Sequence, residues 1–576
     1  MKLRFSFHTE QAVPIYARLC NQILQHPLVK TIGRTEQGYA IEAEGDEAEL
    51  SALAELIGKT FPLSCWLTHS ETEAIEQFDG EAQPLAESRL EMTYCRHCRD
   101  LPSHSCRHCD SVSDGHWLAE HATLERWVQR HLDALLLDGR TEFDCRHGHR
   151  ELLLLEYVTP ADEALLFCQP QALADALHIG RIGQLALSGL EKPQLRLVPR
   201  YEFVVAHNLP RALYQVQLAD ERLTLALCDA LAARGICAVA IRSRFVPLQL
   251  SHCDQTPIAL SQPGVQSLIT HPPRQQRSCY RGIEARWDGE KIAFSPTTQA
   301  DTALPLAAAA ALEGVRRQDR VPKRSAVLYL SKRHDSGLLY RSDSGQYRWL
   351  VRLPEIKRSV RQCLNDIEAR NESSARLMQR CRSAFGDSLA RAERSELIVG
   401  GSVSDAMAMA AWLLELEIPT SDDDQAMAAE ALIASALQHD SPVAPRIDAE
   451  LAGGDGALEL QWLRAFQSCL SYRLAGTESA SALAYGFIDS FCDFVATWVE
   501  QLDADYGLDE VILAGDEFEN PVLLDRLFSR LDRNVKIRLP SPLDLAGATL
   551  AMGGLFVDPA DLAEIKGQAA AAAEPA

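Results

Sequence analysis

Three groups of residues in this chain have types and spacings that could do chemistry. The first is Cys95-Arg-His-Cys98 followed, after seven residues, by Cys106-Arg-His-Cys109. Two Cys-x-x-Cys knuckles present two sulfurs each to one ion, so four thiolates can surround a zinc tetrahedrally. Two pairs this close disfavour simple redox thiols. Cys145, His147 and His149, with His116 and His121 upstream, are spaced irregularly, and surface histidines in a solvated loop explain them as well as a second metal site does. The second group is Gly400-Gly401-Ser402 with Asp405. A Gly-Gly turn and a capping serine open a helix whose N-terminus can receive an anion, although plain helix capping by Ser402 and Asp405 explains the same letters. Gln425 and Glu430 follow on the next helix. The third group is Val511–Phe556, where a strand (511–513) runs into Gly515-Asp516 and a helix begins after Asn520. A second strand (535–539) then leads to a loop with Pro542 and Asp544, which opens another helix. An open α/β sheet presents helix N-termini and an acidic side chain to a phosphate or metal in this way.

The elements that must hold these groups read as several domains. A chain of 576 residues is too long for one core and suggests about three or four. A net charge of −23 argues against a nucleic-acid-binding surface, because a phosphate backbone needs a basic face. No apolar run reaches the roughly 18–20 residues that span a bilayer, and the N-terminus lacks an apolar signal core, so the expectation is a cytoplasmic protein without a membrane segment. Most of the 16 cysteines are then expected to be small buried hydrophobes.

Residues 1–85 form an α+β unit: strand 3–7, helix 13–25, strand 39–43, helix 47–57. Residues 90–150 carry the knuckles. Residues 151–325 are expected to be α/β, with a plain strand and turn over 185–192, a helix over 223–232 feeding a strand over 237–241, and an Ala-rich helix within 297–321. Residues 326–565 open with two hairpins over 327–353, whose first turn would bring Asp335 and Ser336 to a phosphate pocket. They also contain a helix over 480–502 with Leu483, Phe487, Phe491, Phe494 and Trp498 on one core-facing stripe. The tail 566–576 is low in complexity and expected to be disordered.

The motif around Gly515 resembles the end of the carbamoyl-transferring lobe of HypF, the [NiFe]-hydrogenase maturation family, whose strand ends Ser-Gly-Gly-Val-Phe-Gln-Asn and whose loop reads Pro-Pro-Asn-Asp-Gly-Gly. Gly515, Phe518, Asn520 and Asp544 match, while Ala514, Asp516, Glu517, Glu519, Leu543 and Leu545 depart. Gly400–Leu416 and Asp423–Glu430 are similar to two further stretches of that lobe. The front module resembles the family's acylphosphatase-like domain, but the phosphate-gripping arginine falls on Val13 and the water-orienting asparagine on Arg34. The family's basic cradle and Ser-Gly-Asn turn find no counterpart in 150–325, and its His-x-x-x-His array none between Arg150 and Ala576; His104 and His108 have that spacing but sit among the knuckle cysteines.

The resemblance implies an α/β and α+β multidomain chain: an acylphosphatase-like, ferredoxin-type module, a zinc-knuckle segment and an actin/sugar-kinase-like C-terminal lobe. It implies carbamoyl transfer for cyanide ligand synthesis from carbamoyl phosphate and ATP with magnesium. Asp544 and Asn520 would be the catalytic residues, and Gly400, Gly401, Ser402, Asp405 and Gly515 would enclose the nucleotide. Other maturation factors or a hydrogenase subunit would be partners. An enzyme and a non-catalytic zinc-bearing scaffold both accommodate these residues. The related tRNA threonylcarbamoyl transferases are disfavoured by the charge and by the front module. If the lobe is an enzyme, Asp544 is a loop carboxylate at a ligand pocket, and its removal is expected to leave the ligand-free protein nearly as stable.

Cys95, Cys98, Cys106 and Cys109 predict one tightly held zinc per chain. Elemental analysis should find it, and Cys98→Ser should lose it together with local folding of the segment. Metal-free protein of unchanged thermal stability would contradict the site.

Overall fold

Alternation and helical spacing in the sequence become five sheets among the described residues. The computed structural model describes residues 1–87 and 121–557, without residues 10, 36–37, 146–147, 244–246, 254–255, 262–267, 270–271, 298, 303–305, 319–323, 343–344, 354–357, 396–397, 419–423, 440, 442, 455–456, 534 and 541–542. The four knuckle cysteines and His147 lie outside the described residues, as does the tail.

The front module runs strand Lys2–Thr9, helix Pro14–Ile23, strands Val29–Thr35 and Gly38–Glu44, helix Glu47–Thr60 and strand Leu67–Ala74. The order across the sheet is second, third, first, fourth, every pair antiparallel, which is the ferredoxin-type βαββαβ arrangement. Period-2 alternation puts Phe5 and Phe7 inside, and Pro14 starts the first helix where a missing N–H costs nothing. Asp46 and Glu49 close a capping box on the second helix.

An eight-stranded mixed sheet follows, from Arg140–Cys145 at one edge to Thr256–Ser261 at the other. Alternation along Ala164–Phe167 sends Leu165 and Phe167 into a core shared with the front module's Phe5 and Tyr16, while Leu166 faces Leu227 and Leu231 of helix Arg222–Ala232. The hairpin Arg140–Cys145/Gly148–Leu153 belongs to this sheet, so the domain starts inside the segment assigned to the knuckles. Residues 181–188 are helical, against the expected strand. Gly183, Ala186 and Leu187 recur at helical spacing on the buried side, and a short apolar run does not distinguish the two periods.

The C-terminal sheet has seven strands. Strands Ser325–Tyr329, Ser336–Arg341 and Tyr347–Leu353 form two successive antiparallel hairpins, and Glu510–Ala514 and Ile537–Arg538 continue from Ser325–Tyr329 in parallel. The lobe draws on residues before 326 as well. Helix Ala307–Arg316 packs on helix Ala548–Gly554 so closely that a Cβ on Gly553 would lie 1.7 Å from the Ala310 carbonyl oxygen, and one on Gly314 2.1 Å from that of Thr549. This contact explains the Ala-rich sequence. Helix Ala480–Tyr506 is long and apolar enough by composition to cross a membrane, but its Leu483, Phe487, Phe491 and Trp498 are buried in the lobe's core. The described cysteines are free thiols, buried except for Cys145 and Cys237.

Val13 is 1% exposed and precedes helix Pro14–Ile23 as a packed core residue, while Arg34 lies on the exposed end of its strand. Val13 offers no donor fork to an acyl phosphate, and Arg34, which has no acceptor, cannot take the place of an amide that orients water. Hydrolysis of acetyl phosphate by the full chain should therefore equal the buffer blank, and turnover abolished by Val13→Asp would contradict this assignment.

Candidate functional site

The parallel pairing of Glu510–Ala514 with Ser325–Tyr329 brings the carboxyl ends of both strands, and the turns that follow them, to one edge of the C-terminal sheet. Crevices at strand carboxyl ends are where open α/β sheets hold ligands. Gly515 has φ +120°, and a Cβ there would sit 2.0 Å from the Leu330 carbonyl oxygen, so only glycine lets the two turns approach. Its N–H donates to the Leu545 carbonyl (2.8 Å), which fixes the loop holding Asp544.

The turn leaving Ser325–Tyr329 and the start of helix Val403–Leu413 enclose a cavity of about 290 Å³. Ser331, Lys332, Arg333, His334, Asp335 and Ser336 line one side, and Gly400, Gly401, Ser402 and Asp405 the other. The two turns expected to receive an anion therefore do meet. Ser402 caps the helix in a reciprocal box with Asp405, and Gln425 donates to Asp405 from helix Asp424–Leu437. Burial pushes the His334 imidazole below its ordinary value, and its Nε2 lies 3.1 Å from the Tyr280 hydroxyl.

Gly515, Asn520 and Asp544 are not part of that lining. Asn520 is the N-cap of helix Pro521–Leu531, its Oδ1 accepting from the N–H groups of Val522 and Leu523. Asp544 is fully buried, and its carboxylate accepts from the backbone N–H of Gly547 (2.8 Å), Ala548 (2.8 Å) and Thr549 (3.2 Å). The ligand-facing loop carboxylate expected from the sequence is instead the cap of helix Ala548–Gly554. The expectation of a small stability effect falls with it.

The residues that dominate this edge are the acidic ones of the turn. Glu517 is 1% exposed. It accepts from the Ser404 N–H (2.9 Å) and the Ser404 hydroxyl (2.5 Å), so it sits on the N-terminus of helix Val403–Leu413. Burial raises its carboxyl above the ordinary range, against the pull of Lys332 and the Ser404 donors. Asp516 accepts from the Lys332 N–H (2.9 Å), with the Arg333 side chain 3.8 Å and the Arg281 side chain 4.0 Å away. Glu519 pairs with Lys332 (3.1 Å) and with Arg196 of the middle sheet (2.5 Å). Burial opposes its ionisation, yet Arg196 and Lys332 together hold it far below the ordinary carboxylate range. Arg196 also reaches Glu430 (2.6 Å), which Arg211 approaches at 2.5 Å.

In the sequence the acidic residues showed only as departures from a motif. The arginines, some 320 residues upstream in the case of Arg196 and Glu519, gave no local signal. The Ser404 N–H and hydroxyl, the Lys332 ammonium and the Arg196 guanidinium, donors of the kind a triphosphate would use, are engaged by carboxylates of the chain. Among the described residues, no group of three or more His, Cys, Asp and Glu is arranged to hold a metal ion.

Comparison with known proteins now bears on the fold. Residues 355–553 match the family model for the second subdomain of the Kae1-like domain of carbamoyltransferases, HypF_C_2. Full-length HypF in the phosphate- and nucleotide-bound form superposes with a TM-score of 0.58 at 11% identity, over 96% of this chain and 97% of that one. HypF of T.kodakarensis superposes with a TM-score of 0.64 at 11% identity, over 99% of both chains. The chain shares the fold of the solved HypF structures, and its residues 355–553 match the carbamoyltransferase subdomain. At that identity the solved HypF structures speak for the fold, which is a mixed α/β multidomain one. Protein HydE of Wolinella succinogenes is 27% identical over 211 residues, which are 34% of this chain and 38% of that protein, so the match spans well under half of that relative.

Asp544→Ala would strand three buried N–H groups at the start of helix Ala548–Gly554. Urea unfolding of the full chain should show a loss of about 2–4 kcal/mol. A change below about 0.5 kcal/mol, the range of ordinary surface substitutions, would return Asp544 to the role of a dispensable loop carboxylate.

Proposed function

We propose that this HypF-like chain acts in [NiFe]-hydrogenase maturation as a non-catalytic, zinc-bearing scaffold that binds another maturation factor or a hydrogenase subunit. Its carbamoyltransferase-type lobe is kept as architecture, and ATP-dependent carbamoyl transfer is lost. One observation carries this reading: Glu517 and Glu519 take up the helix N-terminus, the lysine and the arginine at the edge where the lobe would hold phosphate. The burial of Asp544 as a helix cap supports it, since a carboxylate whose oxygens accept three backbone N–H groups is poorly placed to hold magnesium. A solved HypF that holds phosphate and nucleotide has the same overall fold, so on this reading the loss is one of side chains rather than of the frame.

The cavity between Ser331–Ser336 and Gly400–Asp405 favours a second reading, an enzyme with a reduced site. Its walls carry Lys332, Arg333 and His334 together with the Gly400-Gly401 turn. There the chain's own contribution would be to orient an anionic substrate through the Arg333 side chain and the Gly401 backbone.

Two measurements on the intact protein decide between them. Carbamoyl-phosphate-dependent consumption of ATP should stay at background, and deletion of the gene should still impair hydrogenase maturation. Turnover that depends on Arg333 would establish the enzyme reading, and normal maturation in the deletion strain would remove the maturation role itself.

A further inference from the structure

The turn Asp516–Glu519 has more negative charge than a helix start or a strand end calls for. Asp516, Glu517 and Glu519 fall within four residues, and the first two are nearly or fully buried. Each carboxylate is met by a different kind of donor. Ser404 is the second residue of an 11-residue helix, and its N–H is one of the groups left without an intrahelical partner at the positive end of the helix dipole. That N–H and the Ser404 hydroxyl both point at Glu517. The backbone N–H of Lys332, in the turn that leaves the first strand of the sheet, points at Asp516. The Lys332 ammonium and the Arg196 guanidinium meet on Glu519.

Helix N-terminal amides, turn amides, a lysine and an arginine are the set of donors by which proteins recognise phosphate chains. Here a single segment of the same polypeptide saturates all four.

We propose that the Asp516–Glu519 turn is an internal polyanion, which occupies the phosphate-recognition position of the C-terminal lobe and excludes nucleoside triphosphates and pyrophosphate from it. The inference deepens the reading of a lobe without ATP turnover by naming what blocks it. Because the turn is covalently held, its carboxylates compete at a local concentration that a free ligand in the millimolar range does not match. Contacts beyond these donors help to hold the turn in place. Gly515 packs against Leu330, the Ser251 hydroxyl donates to the Phe518 carbonyl (3.0 Å), and Phe518 is fully buried. The polyanion therefore does not swing out as a lid would. Occlusion is a fixed property of the fold rather than a response to a signal.

Isothermal titration of the full chain with pyrophosphate and with ATP and magnesium tests this. The wild type should take up neither at millimolar concentration. Glu517→Ala vacates the helix N-terminus and should bind pyrophosphate at least about tenfold more tightly than the wild type, the gain expected from freeing charge-assisted donors. Glu517→Gln fills the same volume and should show no gain. Wild-type binding of either probe that equals that of Glu517→Ala, or an equal gain in Glu517→Gln, would overturn the proposal. Should Glu517→Ala fail to fold, the wild type and Glu517→Gln decide alone: uptake by the wild type refutes occlusion, and no uptake by either supports it. Hydrogenase maturation in a deletion strain complemented with Glu517→Gln is a separate readout. Its loss or retention bears on the maturation role and leaves the titration result as it stands.

Discussion

Arg196 is the point at which the two large halves of the chain are tied together. It projects from the middle sheet and places one nitrogen on Glu519 and another on Glu430, both in the C-terminal lobe, while Arg211 joins the same Glu430 from the side. Two arginines and two carboxylates in a mostly buried junction are expensive to desolvate. Such a junction holds only while every member is present, because removing one partner leaves an uncompensated buried charge at a cost of about 3–5 kcal/mol. The backbone reinforces the junction: Leu545 and Ala546 donate to the Ala259 and Leu260 carbonyls, so the loop after the last strand continues the edge of the middle sheet.

The local chemistry follows from this tie. Glu519 can serve Arg196 only if the whole Asp516–Asn520 turn leans toward the middle sheet. Gly515 permits that lean by letting the backbone pass within contact of Leu330. Once the turn is there, Glu517 falls on the start of helix Val403–Leu413 and Asp516 on the Lys332 amide. The acidic turn is thus at once an interdomain fastener and the occupant of the lobe's anion-recognition position. Neutral residues at 517 and 519 would take these carboxylates away from the Ser404 donors and from Arg196.

Much of the frame was legible. The hairpins over 327–353, the capped helix after Ser402 and the strand–helix pair around Gly515 all appear within a residue or two of where periodicity and capping place them. These elements are specified by neighbours three or four positions away, which is what a sequence pattern records. Gly400, Gly401, Ser402 and Asp405, expected to enclose a ligand with Gly515, Asn520 and Asp544, line a cavity with Asp335 and Ser336 instead. The roles of Asp544 and Asn520 were not legible, because a carboxylate that caps a buried helix and one that faces a ligand are written with the same letter in the same loop. Nor was the Arg196–Glu519 pair, whose members are separated by 323 positions and whose meeting depends on how two domains dock. The hairpin at 140–153 was hidden by adjacency to the cysteine knuckles, where composition drew the eye to metal chemistry rather than to sheet alternation.

The central claim is that the acidic turn is held by the middle sheet's arginine. A double-mutant cycle on Arg196→Met and Glu519→Gln in the full chain, read by urea unfolding at several pH values, tests it most directly. Glu519 is depressed in the folded protein, so the pair's contribution is present above the unfolded carboxylate range near pH 4.3 and is lost as pH falls from there toward the lower folded value. The account predicts a coupling of at least about 1 kcal/mol at pH 7 that shrinks on acidification. Additive single substitutions at pH 7, or a coupling unchanged by acid, would contradict it.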